Sequence, residues 1–137
     1  MQVLVVEDEA LIRLLAADIL EAAGCTTISA GTAAEAHRLA ARLRFDAAVL
    51  DLGLPDRCGA ALLGDLLGLQ PALGVVISTG HRADDPQVTA ARHAGGGRVA
   101  AVLGKPWKEG DLVAAVRRAA ALSRIERHRG VGLHLVL

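Results

Sequence analysis

Three carboxylates follow an apolar run near the start of the sequence. Residues 3–6 are Val, Leu, Val and Val, and Glu7, Asp8 and Glu9 come next. Acids crowded at the end of a buried strand repel one another, and other run ends suggest what that repulsion serves. Asp51 closes the apolar run at 47–50, Thr79 closes the run at 75–78, and Lys105 lies just past the run at 99–103. Clustered carboxylates without a matching arginine can coexist around a hard divalent cation, and oxygen donors with partial hydration point to Mg²⁺. A carboxylate beside such an ion can attack a phosphoryl group and form an acyl phosphate. The cation and a lysine then neutralise phosphoryl oxygens while a hydroxyl donates to a third. Asp51 is the nucleophile candidate because it stands alone at its strand end, and Glu7 and Asp8 are placed as metal ligands. Glu9 suits the positive end of a helix dipole and is given no other role.

These groups meet only if the chain folds so that the run ends share one rim. Short apolar runs alternate with helical patterns along the sequence. Residues 3–6, 25–29, 47–50, 75–78 and 99–103 read as strands, the first short, β-branched and continuous as a buried strand should be. Ile12, Leu15, Ala16, Ile19, Leu20 and Ala23 recur at helical spacing on one face, and Gly24 suits the helix end. Thr32 with Glu35 three residues on forms a capping-box pattern that opens a second helix, ending near Leu43. A third helix is expected near 60–69 before Pro71, and a last one over about 108–123. The segment 81–97 is the least regular; Pro86 suits a first helical turn, and Gly95, Gly96 and Gly97 must end what precedes them. Val131, Leu133, Leu135 and Leu137 alternate as in a strand, with no evident pairing partner. Five strands alternating with five helices predict an α/β fold with a parallel sheet, in which sites form outside the carboxyl ends of the strands.

Composition narrows the function. The 137 residues suit one domain able to bury a core without disulfides or structural metal. Phe45 and Trp107 are the only aromatics, so aliphatic side chains must fill the core. Fifteen acids balance fifteen bases, which argues against a non-specific nucleic-acid binder. Cys25 and Cys58 show no metal or disulfide spacing and read as reduced thiols of a cytoplasmic protein. No signal peptide or membrane-spanning run is expected. "GGGRVAAVLGK" fails as a phosphate loop because Val99 stands where a glycine is needed and Pro106 replaces Ser or Thr. His37, His81, His93, His128 and His134 show no ligand spacing, although His81 and Arg82 follow Thr79 closely enough to reach the site. Trp107 reads as a hydrophobic plug at the start of the last helix, and the arginines between Leu112 and Arg129 as its solvated cationic end.

The ordered motifs "VVEDE", "VLDLGLPDRCG", "ISTG" and "LGKPW" make residues 2 to 122 resemble the receiver domain of two-component response regulators. The resemblance implies a flavodoxin-like (βα)5 receiver fold whose five-stranded parallel sheet has the order 2-1-3-4-5. It makes Asp51 the phospho-accepting aspartate, Asp8 a direct Mg²⁺ ligand, Glu7 a ligand mostly through water, and the Gly53 carbonyl a further ligand. Thr79 becomes the switch hydroxyl and Lys105 the phosphate-contacting lysine, with the bond to Pro106 cis. Pro55 and Gly59 match the loop after the aspartate. The implied partners are a sensor histidine kinase or histidine phosphotransfer protein and a downstream protein on the helix 4–strand 5–helix 5 face. The expected form is a monomer or weak homodimer that touches neither nucleic acid nor membrane.

Two departures qualify that expectation. The family usually carries an aromatic three residues before the lysine, and here the position is Val102. The stretch between Thr79 and Lys105 is also longer than usual. Residues 1–124 are expected to form the receiver domain and 125–137 a C-terminal tail. The protein is expected to catalyse only its own phosphorylation and dephosphorylation. A phosphorylation-independent docking module is the alternative. A Mg²⁺-dependent phosphohydrolase is a further one, disfavoured because Gly53 occupies the place of an acid–base group. Small residues at Gly53 and Gly80 predict a phosphoryl site open to water or a phosphatase.

Overall fold

The computed structural model describes residues 1–80, 82 and 84–136, with side chains through Arg129. The strands are β1 (Gln2–Val6), β2 (Thr26–Ala30), β3 (Ala47–Asp51), β4 (Gly74–Thr79) and β5 (Val99–Gly104). The helices are α1 (Ala10–Ala22), α2 (Ala33–Arg42), α3 (Gly59–Leu69), α4 (Pro86–Gly95) and α5 (Glu109–Val136), and a 3-10 turn at Gly96–Arg98 leads into β5. All strand pairs are parallel and the order is β2-β1-β3-β4-β5, as the family resemblance implied.

The central strands β1, β3 and β4 are largely apolar on both faces because helices cover both faces. Leu4, Val6, Leu50, Val75 and Ile77 point to the side covered by α2, α3 and α4. Val3, Val5, Ala47, Val49 and Val76 point to the side covered by α1 and α5. Alternation of side chains along a strand produces this division. Small residues let the layers approach closely. A Cβ added at Gly74 would lie 2.5 Å from the carbonyl carbon and 2.8 Å from the Cα of Ala119, so β4 enters the sheet against the backbone of α5. At Gly59 an added Cβ would lie 2.9 Å from the Cα of Leu52, which lets α3 start directly beneath the loop after β3.

Caps fix the helix starts. Thr32 Oγ1 accepts from the Glu35 amide at 3.1 Å, and Glu35 reaches back to the Gly31 amide at 3.2 Å. Asp85 accepts from the Gln87 amide at 2.8 Å with Pro86 in the first turn. Gly24 ends α1 at φ 92° and Gly96 ends α4 at φ 51°, both left-handed conformations that favour glycine.

Three expectations change. Leu15 is half-exposed, and the buried stripe of α1 is Ala16, Ala17, Ile19 and Leu20. The last helix does not stop at Ser123 but continues to Val136, so Val131, Leu133 and Leu135 are helical rather than extended. Arg124, Glu126 and Arg127 favour helix just past Ser123, and Arg127 holds α5 down: Nη1 donates to Asp46 Oδ1 at 2.9 Å and Nη2 to the Phe45 carbonyl at 2.7 Å. That contact removes Arg127 from the expected solvated cationic end. His81 and Leu137 lie outside the described residues.

Candidate functional site

The carboxyl ends of β1, β3 and β5 bring the charged residues together. Alternation turns Glu7 and Asp51 toward the same face. Both are buried, with 4 % and 5 % of their surface exposed, while Asp8 is exposed at the rim. Carboxylate oxygens of Glu7, Asp8 and Asp51 all lie within 4.8 Å of one another. Lys105 Nζ sits 3.1 Å from Glu7 Oε1 and 3.3 Å from Asp51 Oδ1. Asp8, Asp51, Gly53, Gly80, Lys105 and Pro106 line an open cavity of about 520 Å³ over this cluster.

Backbone contacts hold the parts in register. The Glu7 amide donates to the Ala30 carbonyl at 3.0 Å, and the Arg13 guanidinium donates to the Glu7 carbonyl at 2.8 Å. The Gly53 amide donates to Asp51 Oδ1 at 3.0 Å, turning the chain tightly after β3. The Lys105 amide donates to the Thr79 carbonyl at 2.8 Å, and the Lys105–Pro106 bond is cis as expected. Thr79 is buried at the end of β4 and lies beside the cavity rather than in its lining. Pro55 is exposed in the loop, and Gly59 lies farther off at the start of α3. Arg82 is exposed and pairs with Asp84, so it does not reach the site.

The electrostatics follow from this crowding. Burial, then the hydrogen bond and negative charge of Asp51, push the Glu7 carboxyl up to about 8. Burial also opposes ionisation of Asp51, but hydrogen bonds from Glu7 and the Gly53 amide, with the Lys105 charge, hold it below the usual aspartate range. Burial disfavours the Lys105 charge, yet Glu7 and Asp51 together keep its ammonium more basic than usual. Two buried acids thus share a proton or a cation. The donor set is all hard oxygen, close enough to converge on one small ion and open to solvent on one side, which fits Mg²⁺ with part of its hydration shell.

Three contacts are not found by reading the sequence. Arg13 buttresses Glu7. Asp56, in the loop after β3, accepts from the amides of Ala33 and Ala34 at 2.9 and 3.0 Å, and these amides hold its carboxyl below the usual range. Trp107 is more than a plug, for its indole Nε1 donates to Ser78 Oγ at 2.9 Å. The last has a sequence signal, since Ser78 is a hydroxyl in an otherwise apolar buried strand and needs a partner.

An acidic cluster with one lysine at the carboxyl edge of a 2-1-3-4-5 sheet defines a flavodoxin-like domain with a cation-ready pocket. The chain belongs to the response regulator receiver domain family, whose sequence profile matches residues 3–117. It is 37 % identical over 126 residues to the transcriptional regulatory protein KdpE of Mycobacterium tuberculosis, an alignment covering 91 % of this chain and 55 % of that regulator. The chain therefore spans about half the length of that curated relative. A CheY-like receiver domain protein from Methanospirillum hungatei superposes with a TM-score of 0.82 at 26 % identity, over 91 % of this chain and 97 % of that one. A response regulator from Burkholderia pseudomallei, described with a phosphorylated aspartic acid, a calcium ion and citrate, superposes with a TM-score of 0.77 at 26 % identity, over 92 % and 72 % of the two chains. Receiver domains are signalling modules of two-component systems, and response regulators act between histidine kinases and downstream effectors. Among the described residues no helix is long and apolar enough to cross a membrane.

Proposed function

We propose that this domain accepts a phosphoryl group on Asp51 from a phosphohistidine of a sensor kinase or phosphotransfer protein and passes the signal on by protein contact. The observation that carries the reading is Lys105 Nζ held 3.1 Å from Glu7 and 3.3 Å from Asp51 at the mouth of an open cavity. An Asp51 carboxylate oxygen attacks phosphorus; the new P–O bond forms as the P–N bond breaks, and its electron pair returns to the imidazole. The low pKa of Asp51 keeps the nucleophile ionised. Lys105 moves from the carboxylates to the phosphoryl oxygens, and Thr79, at the end of the adjacent strand, supplies the switch hydroxyl. Glu7, Asp8, Asp51 and the Gly53 carbonyl would hold Mg²⁺, which supplies positive charge against the phosphoryl oxygens. Pro55, Gly59, Gly80 and Pro106 shape the surrounding loops, and the exposed Gly53 and Gly80 leave the acyl phosphate open to water.

Residues 1–124 form the switching domain in this reading, and 125–137 an extension of it. The domain works in the cytoplasm as a monomer or weak homodimer, turns over no separate substrate, and changes its partner affinity through the α4–β5–α5 face. The test is incubation with acetyl phosphate and Mg²⁺ followed by intact-mass measurement. A gain of about 80 Da, the mass of one phosphoryl group, is expected for wild type and not for Asp51→Asn. No gain on wild type refutes the reading.

A second reading is favoured by one observation. Val102, half-buried against the α3–α4 side, provides no aromatic ring to rotate between surfaces. A docking module indifferent to phosphorylation would keep its partner in a pull-down after Asp51→Asn, whereas the switch loses its phosphoryl-dependent difference.

A further inference from the structure

The turn that carries Lys105 is fastened to β4 at two successive residues. One fastening is the Lys105 amide on the Thr79 carbonyl, at 2.8 Å. The other is the Trp107 indole on Ser78 Oγ, at 2.9 Å. Ser78 is also the residue directly opposite Asp51 in the β3–β4 register, and it is buried, with 4 % of its surface exposed. A buried hydroxyl requires a partner, and the indole commits its single proton to Ser78 Oγ, which accepts it.

The ring does more than satisfy Ser78. With Ile12, Ala16 and Val49 it lines a small pocket of about 10 Å³ that Glu7 and Asp51 also line. Trp107 therefore packs beside the acidic cluster and anchors the turn that carries Lys105. Between the two fastenings the Lys105 side chain, flexible along four carbons, is aimed at Glu7 and Asp51. A turn fixed in place leaves only the end of that side chain to swing from the carboxylates to an arriving phosphoryl group, which keeps the reorganisation small.

We infer that Trp107 is a positioning residue: its bond to Ser78 sets the turn so that the Lys105 ammonium meets the phosphoryl group arriving at Asp51. This rests on the phospho-acceptor reading above. The bond also places the only indole of the chain on the α1–α5 side of β4, opposite to the side faced by Val102. A change at the site reaches Trp107 through Ser78 or through Lys105, without an aromatic at position 102.

The experiment uses Trp107→Phe, Ser78→Ala, their combination and Ser78→Thr in the full chain. Intact-mass time courses with acetyl phosphate and Mg²⁺ should show uptake slowed about three- to tenfold in each bond-breaking single variant, the range expected for one hydrogen bond. The combination should be no slower than the slower single variant, because both remove the same bond. Ser78→Thr, which keeps the hydroxyl, should restore the rate. Since Trp107 is the only tryptophan, the emission reports on the surroundings of this one ring. Beryllofluoride with Mg²⁺ should shift the emission of wild type and Ser78→Thr, and the shift should be reduced in Ser78→Ala. Wild-type uptake rates in the variants, additive losses in the combination, or the same emission shift in Ser78→Ala overturn the inference while leaving the phospho-acceptor reading intact. No adduct on wild type refutes both. If Trp107→Phe does not fold, as read by circular dichroism, the Ser78 variants decide the outcome.

Discussion

Gly74→Ala should be among the most damaging single-methyl additions to this fold. The added Cβ would lie 2.5 Å from the carbonyl carbon of Ala119, where carbon atoms pack at about 3.5 Å. The backbones of β4 and α5 must therefore part by about 1 Å, and no side chain can rotate away to spare them. The strain falls on the contact that buries Leu112, Ala115, Val116, Ala119 and Ala120 completely or nearly so. Overpacking of this kind costs about 3 kcal/mol at the upper end of its usual range, which a clash with main chain warrants. With an unfolding entropy of about 2.1 cal/mol/K per residue, a chain of 137 residues loses about 10 °C of Tm for that cost. Thermal unfolding followed by circular dichroism measures it. Gly68→Ala is the control, on α3 with nothing within 4 Å of the added Cβ; it should leave the Tm unchanged or raise it. A Gly74→Ala midpoint within about 2 °C of wild type would refute the close-approach argument, since a 3 kcal/mol cost cannot hide in so small a shift.

Three further outcomes are expected. Lys105→Met should slow phosphoryl uptake by about a hundredfold or more by removing a charge preorganised for the transition state, read by intact mass against time. Arg127→Ala should lower stability by about 1–2 kcal/mol, because it breaks a part-buried ion pair and a bond to the Phe45 carbonyl, and urea unfolding would measure it. For Asp46, burial opposes ionisation, but the Gln2 amide and Arg127 hold the folded carboxyl below the usual range. Its contribution is therefore present above the unfolded aspartate pKa and lost as pH falls through the lower folded value, so Asp46→Asn should flatten the acid limb of stability against pH.

Much of the architecture was legible because the buried strands are short aliphatic runs and two helix starts, those of α2 and α4, carry a recognisable cap. Thr32 with Glu35 and Pro86 after Asp85 mark their helices with side chains that act on nearby amides, and such local chemistry survives in a linear text. Glu7, Asp51 and Lys105 were legible for a related reason, as polar residues at the ends of apolar runs. The length of α5 was not, because alternating Val131, Leu133 and Leu135 suit a strand as well as a helix, while the Arg127 clasp depends on Asp46, 81 positions away. The exposure of Leu15 was equally hidden, since helical spacing defines a face but not how wide a stripe the sheet can cover. Asp56 carried no signal of its role, because its partners on α2 lie 22 and 23 positions away and come close only where β1 lies between β2 and β3.

That Asp56 contact has a kinetic meaning. The first amides of a helix lack intrahelical acceptors and ordinarily exchange their hydrogens quickly. Here Ala33 and Ala34 borrow theirs from the loop that carries Gly53 and Pro55. Their deuterium uptake is therefore a clock for the opening of that loop, kept by a helix at the far side of β1. Whatever tightens the loop around an occupied site should slow the clock at Ala33 and Ala34.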